Sequence, residues 1–284
     1  MKRFLTTDQR FLALGSNTYD ITHRALVMGI LNRTRDSFFA PAATFEIDTF
    51  LARAERLVNE GADLLDVGGV KAGPGEAVAE SEELDRVVPA IELLRERFDV
   101  PVSVDTWRAN VARASFDVGA CVGNDISGFA DPNYLEVAAA ARASVVATHI
   151  RLAPRVADPT PHYDDVTASV IDFLTVRRQR ALDAGIAPER IILDAGLDLG
   201  KTAAQSLQLL RDSAAWAELG PLLLSASNKT FLGEMFDLDV LERREPSLAA
   251  AALGIAGGCR VLRVHDVVGT VRVRDALARV LEVA

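Results

Sequence analysis

The chain has 284 residues, of which 49% are hydrophobic and 25% charged, with no low-complexity run, so it reads as a folded globular protein. Asp plus Glu number 40 against 31 for Lys plus Arg, and a net charge of −9 has the wrong sign for a nucleic-acid backbone or an anionic membrane. A small-molecule role is favoured. The longest apolar tract, Leu248 to Cys259, carries three glycines and falls short of the ~18 residues that span a bilayer, so it reads as a packed helix and turn. The basic N-terminus lacks the roughly 7 to 15 apolar residues of an export signal. Only Cys121 and Cys259 are present and no CxxC pair occurs. A reducing cytoplasm fits that usage, with both cysteines expected to be buried small hydrophobes at strand beginnings.

In chain order, residues 1–24 form an N-terminal extension expected to cap the bottom of the fold. Eight short apolar or β-branched runs follow: Ala25 to Asn32, Ala62 to Gly69, Pro101 to Thr106, Cys121 to Ser127, Ser144 to Ile150, Arg190 to Gly196, Pro221 to Ser227 and Arg260 to Asp266. Amphipathic segments such as IDTFLARAERLVNEG and ELDRVVPAIELLRERF separate them, with apolar residues spaced by three and four. The Pro-rich stretch Leu152 to Tyr163 reads as a long loop after the fifth strand. Near-continuous apolar strands, each followed by a helix, imply a parallel sheet covered by helices. Eight such units match a closed (β/α)₈ TIM barrel, an α/β fold occupying residues 1–284 as one domain, with a doubly wound sheet as the alternative.

Polar residues collect near the carboxyl ends of these strands: Asn32, Asp66, Asp105, Asn124, Asp125, His149, Asp194, Arg263 and His265. That is the face where barrel enzymes place their chemistry. Single members of this set could merely satisfy backbone groups; for His265 the plain alternative is a bond to Asp266, and for Lys229 a solvated loop position. GLDLGKT, Gly196 to Thr202, imitates a phosphate loop but has three residues between its glycines instead of four, which argues against an ATP or GTP site.

MGILNRTRDSF, GADLLDVGG, SVDT, NDISG, IILDAG, SNKTFLG and RVHD occur in that order, each at or just beyond a strand end. The ordered set resembles dihydropteroate synthase from about Leu26 to the C-terminus. The resemblance implies a homodimeric barrel of the folate pathway, a transferase joining a dihydropterin methyl diphosphate to p-aminobenzoate. It implies pterin ligands at Asp105, Asn124 and Asp194, and a catalytic and pterin-binding lysine at Lys229. It also implies diphosphate ligands at Arg263 and His265, and Asn32 as ligand to Mg²⁺. The pterin presents an edge of N–H donors, which suits carboxylate and amide acceptors.

The sequence departs from that family around the second substrate. Where the family has Glu-Ser-Thr-Arg-Pro-Gly after DVGG, this chain has Val70, Lys71, Ala72, Gly73, Pro74 and Gly75. Lys71 cannot replace the planar two-point contact of arginine. Arg35 replaces a proline in the first loop, Asp198 a glycine, Leu199 a phenylalanine, Asn228 an arginine, and Thr148 an apolar residue that often lines the pterin. A carboxylate at 198 would repel p-aminobenzoate. The expectation is a divergent paralogue that keeps the pterin and anion floor and has weak or absent synthase activity. The alternatives are a working synthase in which Lys71 and Arg35 grip the diphosphate, and a protein that binds a pterin or an aromatic sulfone without turnover. A methyltetrahydrofolate-binding methyltransferase domain is a more remote one, and an acceptor amine suited to Asp198 remains open.

Overall fold

In the computed structural model, which describes residues 10–33 and 43–282, the chain enters through an antiparallel hairpin of β1 (Phe11–Leu14) and β2 (Asn17–Asp20). Gly15, at φ 61°, supplies the left-handed residue of its turn. The eight apolar runs then form β3 (Leu26–Asn32), β4 (Leu64–Gly68), β5 (Val102–Asp105), β6 (Val122–Asp125), β7 (Ser144–Thr148), β8 (Ile191–Asp194), β9 (Leu222–Leu224) and β10 (Cys259–Val264). These pair in parallel in sequence order, and β10 returns to β3, so the sheet closes into a barrel and excludes a doubly wound sheet. Around it lie α1 (Ala43–Asn59), α2 (Glu80–Arg97), α3 (Ala109–Asp117), α4 (Tyr134–Ala140), α5 (Val166–Asp183), α6 (Ala203–Arg211), α7 (Thr230–Phe236), α8 (Arg244–Ala256) and α9 (Val267–Glu282).

Strand side chains alternate between two faces, so one parity in each strand fills the barrel and the other meets the helices. The lower interior is apolar: Leu26, Met28, Leu64, Val122, Val146, Ile192, Leu223 and Val261 form one buried cluster with Leu12, Leu14 and Ile21 from the hairpin segment. Two residues further along the same strands the interior becomes polar, at Asp66, Asn124, Thr148, Asp194 and Arg263. A second cluster between sheet and helices includes Leu31, Leu57, Leu65, Val104, Ile91 and Leu224. The barrel thus has a dry base and a charged upper half, and residues two apart on one strand fall on either side of that boundary.

Leu248 to Cys259 is packed helix and turn: α8 ends before Gly257, and β10 begins at Cys259. Cys259 is buried, but Cys121 is only half-buried, which corrects the expectation for that residue. It immediately precedes β6 and sits under the hairpin turn at Gly15, which covers it incompletely.

Candidate functional site

The upper interior is organised by Arg263 on β10. Its Nε donates to Asp66 Oδ2 at 2.6 Å and its Nη2 to Asp105 Oδ2 at 2.8 Å, so one guanidinium ties β10 to β4 and β5 across the barrel. Asn124 Nδ2 donates to the same Asp66 oxygen at 3.2 Å, which leaves its Oδ1 as an acceptor. Asp194 Oδ1 takes the Gly196 N–H at 2.8 Å, leaving Oδ2 outside that bond. Burial raises the pKa of Asp194 despite Lys229, and it pushes Asp105 up to about 7 even against Arg263. Asp66 Oδ1 and Thr148 Oγ1 are buried without a hydrogen-bond partner among the described residues. A barrel mouth that keeps desolvated acceptors open is built to meet a donor from outside.

Lys229 and His265 stand at the edge of this floor. Lys229 is half-buried, not solvated, and its Nζ donates to Leu197 O at 2.5 Å. Burial lowers its pKa, while Asp194 and Asp198 pull the other way. His265 does not pair with Asp266, which caps α9 through Gly269 and bonds Arg244. Instead Ser227 Oγ accepts the His265 backbone N–H at 3.1 Å and lies 3.0 Å from its Nδ1. Burial beside Arg263 lowers the imidazole to about 4, so at neutral pH it is an uncharged ring. The hydroxyl hydrogen of Ser227 suits Nδ1, which assigns the ring N–H to Nε2.

The loop after β8 is held by a residue that the sequence motif disguises. Lys201, in the phosphate-loop look-alike, turns inward, and its Nζ meets Gly196 O at 2.8 Å, His149 Nδ1 at 2.9 Å and Leu199 O at 3.1 Å. With His149 O at a longer 3.4 Å, four acceptors surround the ammonium, which holds this loop to the end of β7. Burial pulls the lysine down to about 7 and, with Lys201 alongside, pulls His149 down to about 3. Gly196, at φ 64°, is required here because a Cβ would overlap the His149 carbonyl. Lys201→Met leaves these acceptors unmet and is expected to cost about 2 to 4 kcal/mol of stability by urea denaturation.

Asn32 is exposed at the end of β3. A Cβ on Gly68 would stand 3.5 Å from Asn32 Oδ1 and 3.6 Å from Asp105 Oδ2, so glycine keeps open the gap these oxygens border. No group of three acidic, His or Cys side chains suited to a metal occurs among the described residues. One amide oxygen beside a carboxylate fits a hard cation that keeps most of its waters. The first loop, with Thr34, Arg35 and Asp36, lies outside the described residues.

The second loop, residues 70–79, carries no hydroxyl and no guanidinium of its own. Arg155, from the long loop after β7, reaches across to it. Its Nη1 donates to Lys71 O at 2.8 Å, its Nη2 to Glu76 O, and its backbone N–H to Ala72 O at 3.2 Å. Lys71 itself is exposed. Below this brace is a cavity of about 290 Å³, lined among others by Pro74, Leu152, Val156, Asp198 and Leu199. Asp198 accepts the Thr230 N–H at 2.7 Å and so caps α7.

Residues 28–265 match the family model described as pterin binding enzyme. The chain belongs to the pterin-binding dihydropteroate synthase family. It is 44% identical over 264 residues to the inactive dihydropteroate synthase 2 of Mycobacterium leprae, covering 90% of this chain and 91% of that one. Identity to the dihydropteroate synthase of Synechocystis is 39% over 277 residues, covering 96% and 93%. The crystal structure of Yersinia pestis dihydropteroate synthase with a sulfonamide drug superposes with a TM-score of 0.89 at 36% identity, covering 96% of this chain and 100% of that one.

The barrel brings Asp105, Asn124, Arg263 and Asp66 into one bonded group. Asp194, Lys229 and Arg263 are within electrostatic reach of one another. Sequence reasoning placed Asp66 on the polar rim without its role as the partner of both Arg263 and Asn124. Nothing in one sequence points to Ser227 or Arg155, whose contacts lie 38 and 79 to 84 positions away. Lys201 has a signal in the sequence, a lysine just before a helix cap and behind two glycines, but that pattern imitates a phosphate loop and does not reveal an inward-turned side chain.

Proposed function

We propose that this dihydropteroate synthase-family protein binds a dihydropterin and carries out the ordinary synthase reaction weakly or not at all. The observation that carries this reading is the contrast between the two halves of the site. Acceptors remain open on the floor, while the second loop has neither hydroxyl nor guanidinium and is tied to a neighbouring loop by Arg155. Asp105, Asn124 and Asp194 would accept from the N–H edge of the ring, and Lys229 would donate to its oxygen and nitrogen. The apolar cluster in the barrel base below these residues would exclude water from beneath the ring, which strengthens each charge-assisted bond.

For the diphosphate, His265 offers a neutral Nε2–H, and Arg263 offers what its two carboxylates leave. The family resemblance implies magnesium, which when bound would offset diphosphate charge; Asn32 would hold it, with water completing the shell. The missing loop contacts are of the charge-assisted kind, at ~1.5 to 3 kcal/mol each, and losing two lowers the rate by roughly 10² to 10⁴. The name of the M. leprae relative favours the same outcome. A homodimer is proposed from the resemblance, and the exposed apolar side chains Phe236, Leu241 and Leu253 on and near α7 and α8 support it. A cytoplasmic location is proposed from the two free cysteines; no helix among the described residues is long and apolar enough to cross a membrane.

The test measures pyrophosphate release by the full chain with dihydropterin methyl diphosphate, magnesium and p-aminobenzoate, beside an ordinary synthase, together with calorimetry of pterin binding. Saturable pterin binding with a rate at least about 100-fold below the reference is expected. A rate close to the reference, or no pterin binding, overturns the proposal.

A further inference from the structure

We infer that Arg155 straps the second loop shut across the mouth of the barrel, so that a ligand passes in or out only when its bonds to that loop break. In the barrel, β5 and β6 separate β4 from β7. The second loop follows β4 and Arg155 follows β7, so their contact crosses the side of the mouth to which β5 and β6 bring Asp105 and Asn124. Three bonds make it: Nη1 to Lys71 O at 2.8 Å, Nη2 to Glu76 O, and the backbone N–H to Ala72 O at 3.2 Å. The planar fork of one guanidinium thus takes carbonyls at positions 71 and 76 together, which fixes both limbs of the loop. Gly75 admits the fork, because a Cβ there would stand 2.8 Å from Nη2. Arg86 and Arg108 hold the two ends of the loop, at Gly69 O and Val78 O, and Arg155 reaches the span between them.

Arg155 is placed at a cost that an ordinary turn avoids. The Val156 N–H bonds Ala153 O at 3.2 Å, closing a turn with Pro154 at its second position and Arg155 at its third. Arg155 has φ 67°, a value that β-turns give to glycine at this position. Its Nε is buried with no hydrogen-bond partner among the described residues. Backbone strain and an unmet donor on one loop residue point to a role outside its own turn. The far end of the strap is anchored. Arg151 pairs with Asp158 at 2.5 Å within the loop after β7, and the Tyr163 hydroxyl donates at 2.8 Å to Gly200 O, in the loop after β8 that Lys201 pins. Residues of all three loops, among them Pro74, Val156 and Leu199, line the cavity of about 290 Å³. The post is therefore fixed, and the segment that the strap restrains is the second loop.

The experiment is cleavage of the full chain by a lysine-specific endoproteinase. The chain has four lysines, Lys2, Lys71, Lys201 and Lys229. Among the described ones Lys71 alone is exposed, so cleavage after Lys71 reads the opening of the second loop. Wild type is compared with Arg155→Gln and with Arg155→Gly, the second of which suits the left-handed turn and so separates the strap from the turn that carries it. Both variants are expected to be cut after Lys71 at least about tenfold faster, with a melting temperature within a few degrees of wild type. Cleavage no faster than wild type overturns the inference. A general role in stability would lower the melting temperature of both variants and speed cleavage after Lys229 as well, and that result also overturns it. On the reading of the floor as a pterin site, the same variants are expected to take up 6-hydroxymethylpterin at least about fivefold faster by stopped-flow fluorescence, and an unchanged rate overturns the gating. A wild type that binds no pterin overturns the reading of the floor, and the cleavage ratio then decides the strap by itself.

Discussion

Asp194→Asn is expected to weaken pterin binding by about 100-fold or more and to leave the melting temperature within a few degrees of wild type. Asparagine retains an oxygen for the Gly196 N–H that Asp194 now accepts at 2.8 Å, so the loop after β8 keeps its anchor. What disappears is the negative charge that the proposed pterin pose sets against the N–H edge of the ring. Two charge-assisted bonds reduced to neutral ones account for roughly 3 kcal/mol, which is a factor of about 100. Affinity is also expected to fall as pH drops through about 7. Asp105 has its pKa pushed up to about 7 by burial, so acidification converts an acceptor into a hydroxyl donor that opposes the ring's own donors. Calorimetry of both proteins between pH 5.5 and 8.5 checks both statements, and a wild-type affinity that stays flat across that range would contradict the second.

The other large effect is on stability. Arg263→Met removes the guanidinium from two carboxylates, of which Asp66 is fully buried, and is expected to cost about 3 to 5 kcal/mol at pH 8. The sign of the pH dependence follows from Asp105. With its folded-state pKa raised by burial above the unfolded one, its ionised form destabilises the folded chain, and that penalty is relieved as pH falls through the folded value. Arg263 holds that pKa down, so without the guanidinium it moves higher still. The variant should therefore lose less relative to wild type at pH 5.5 than at pH 8, as read by denaturant midpoints. An equal loss at both values would mean that the side chain's packing matters and its charge does not.

These expectations depend on contacts of unequal visibility in the sequence. All eight barrel strands were legible because a parallel strand covered on both faces must be apolar, and LVMGIL, LLDV and VLRV leave little else to be. The polar floor was legible as a set, since Asp66, Asp105, Asn124 and Asp194 interrupt such runs near their ends, where a group with no function would be costly. The role of each was less visible. Arg263 looked like a free cation for an anion, but closure of the barrel sets β10 beside β3, within reach of carboxylates on β4 and β5. Asp198 looked like a negative wall and is also the cap of α7.

Taken alone, the order of apolar runs and of the motifs at their ends determined the barrel, the family and the position of the polar floor, because hydrophobic periodicity and strand parity are properties of neighbouring residues. The same sequence showed that the second loop lacks its usual side chains. Only the tertiary structure decided what those losses mean: that Arg155 braces the emptied loop, that Ser227 orients His265, and that Lys201 pins the loop beside Asp198. Each of these is a bond between side chain or backbone groups distant in sequence, set by how loops meet above a closed sheet, and no local pattern encodes which loops will touch.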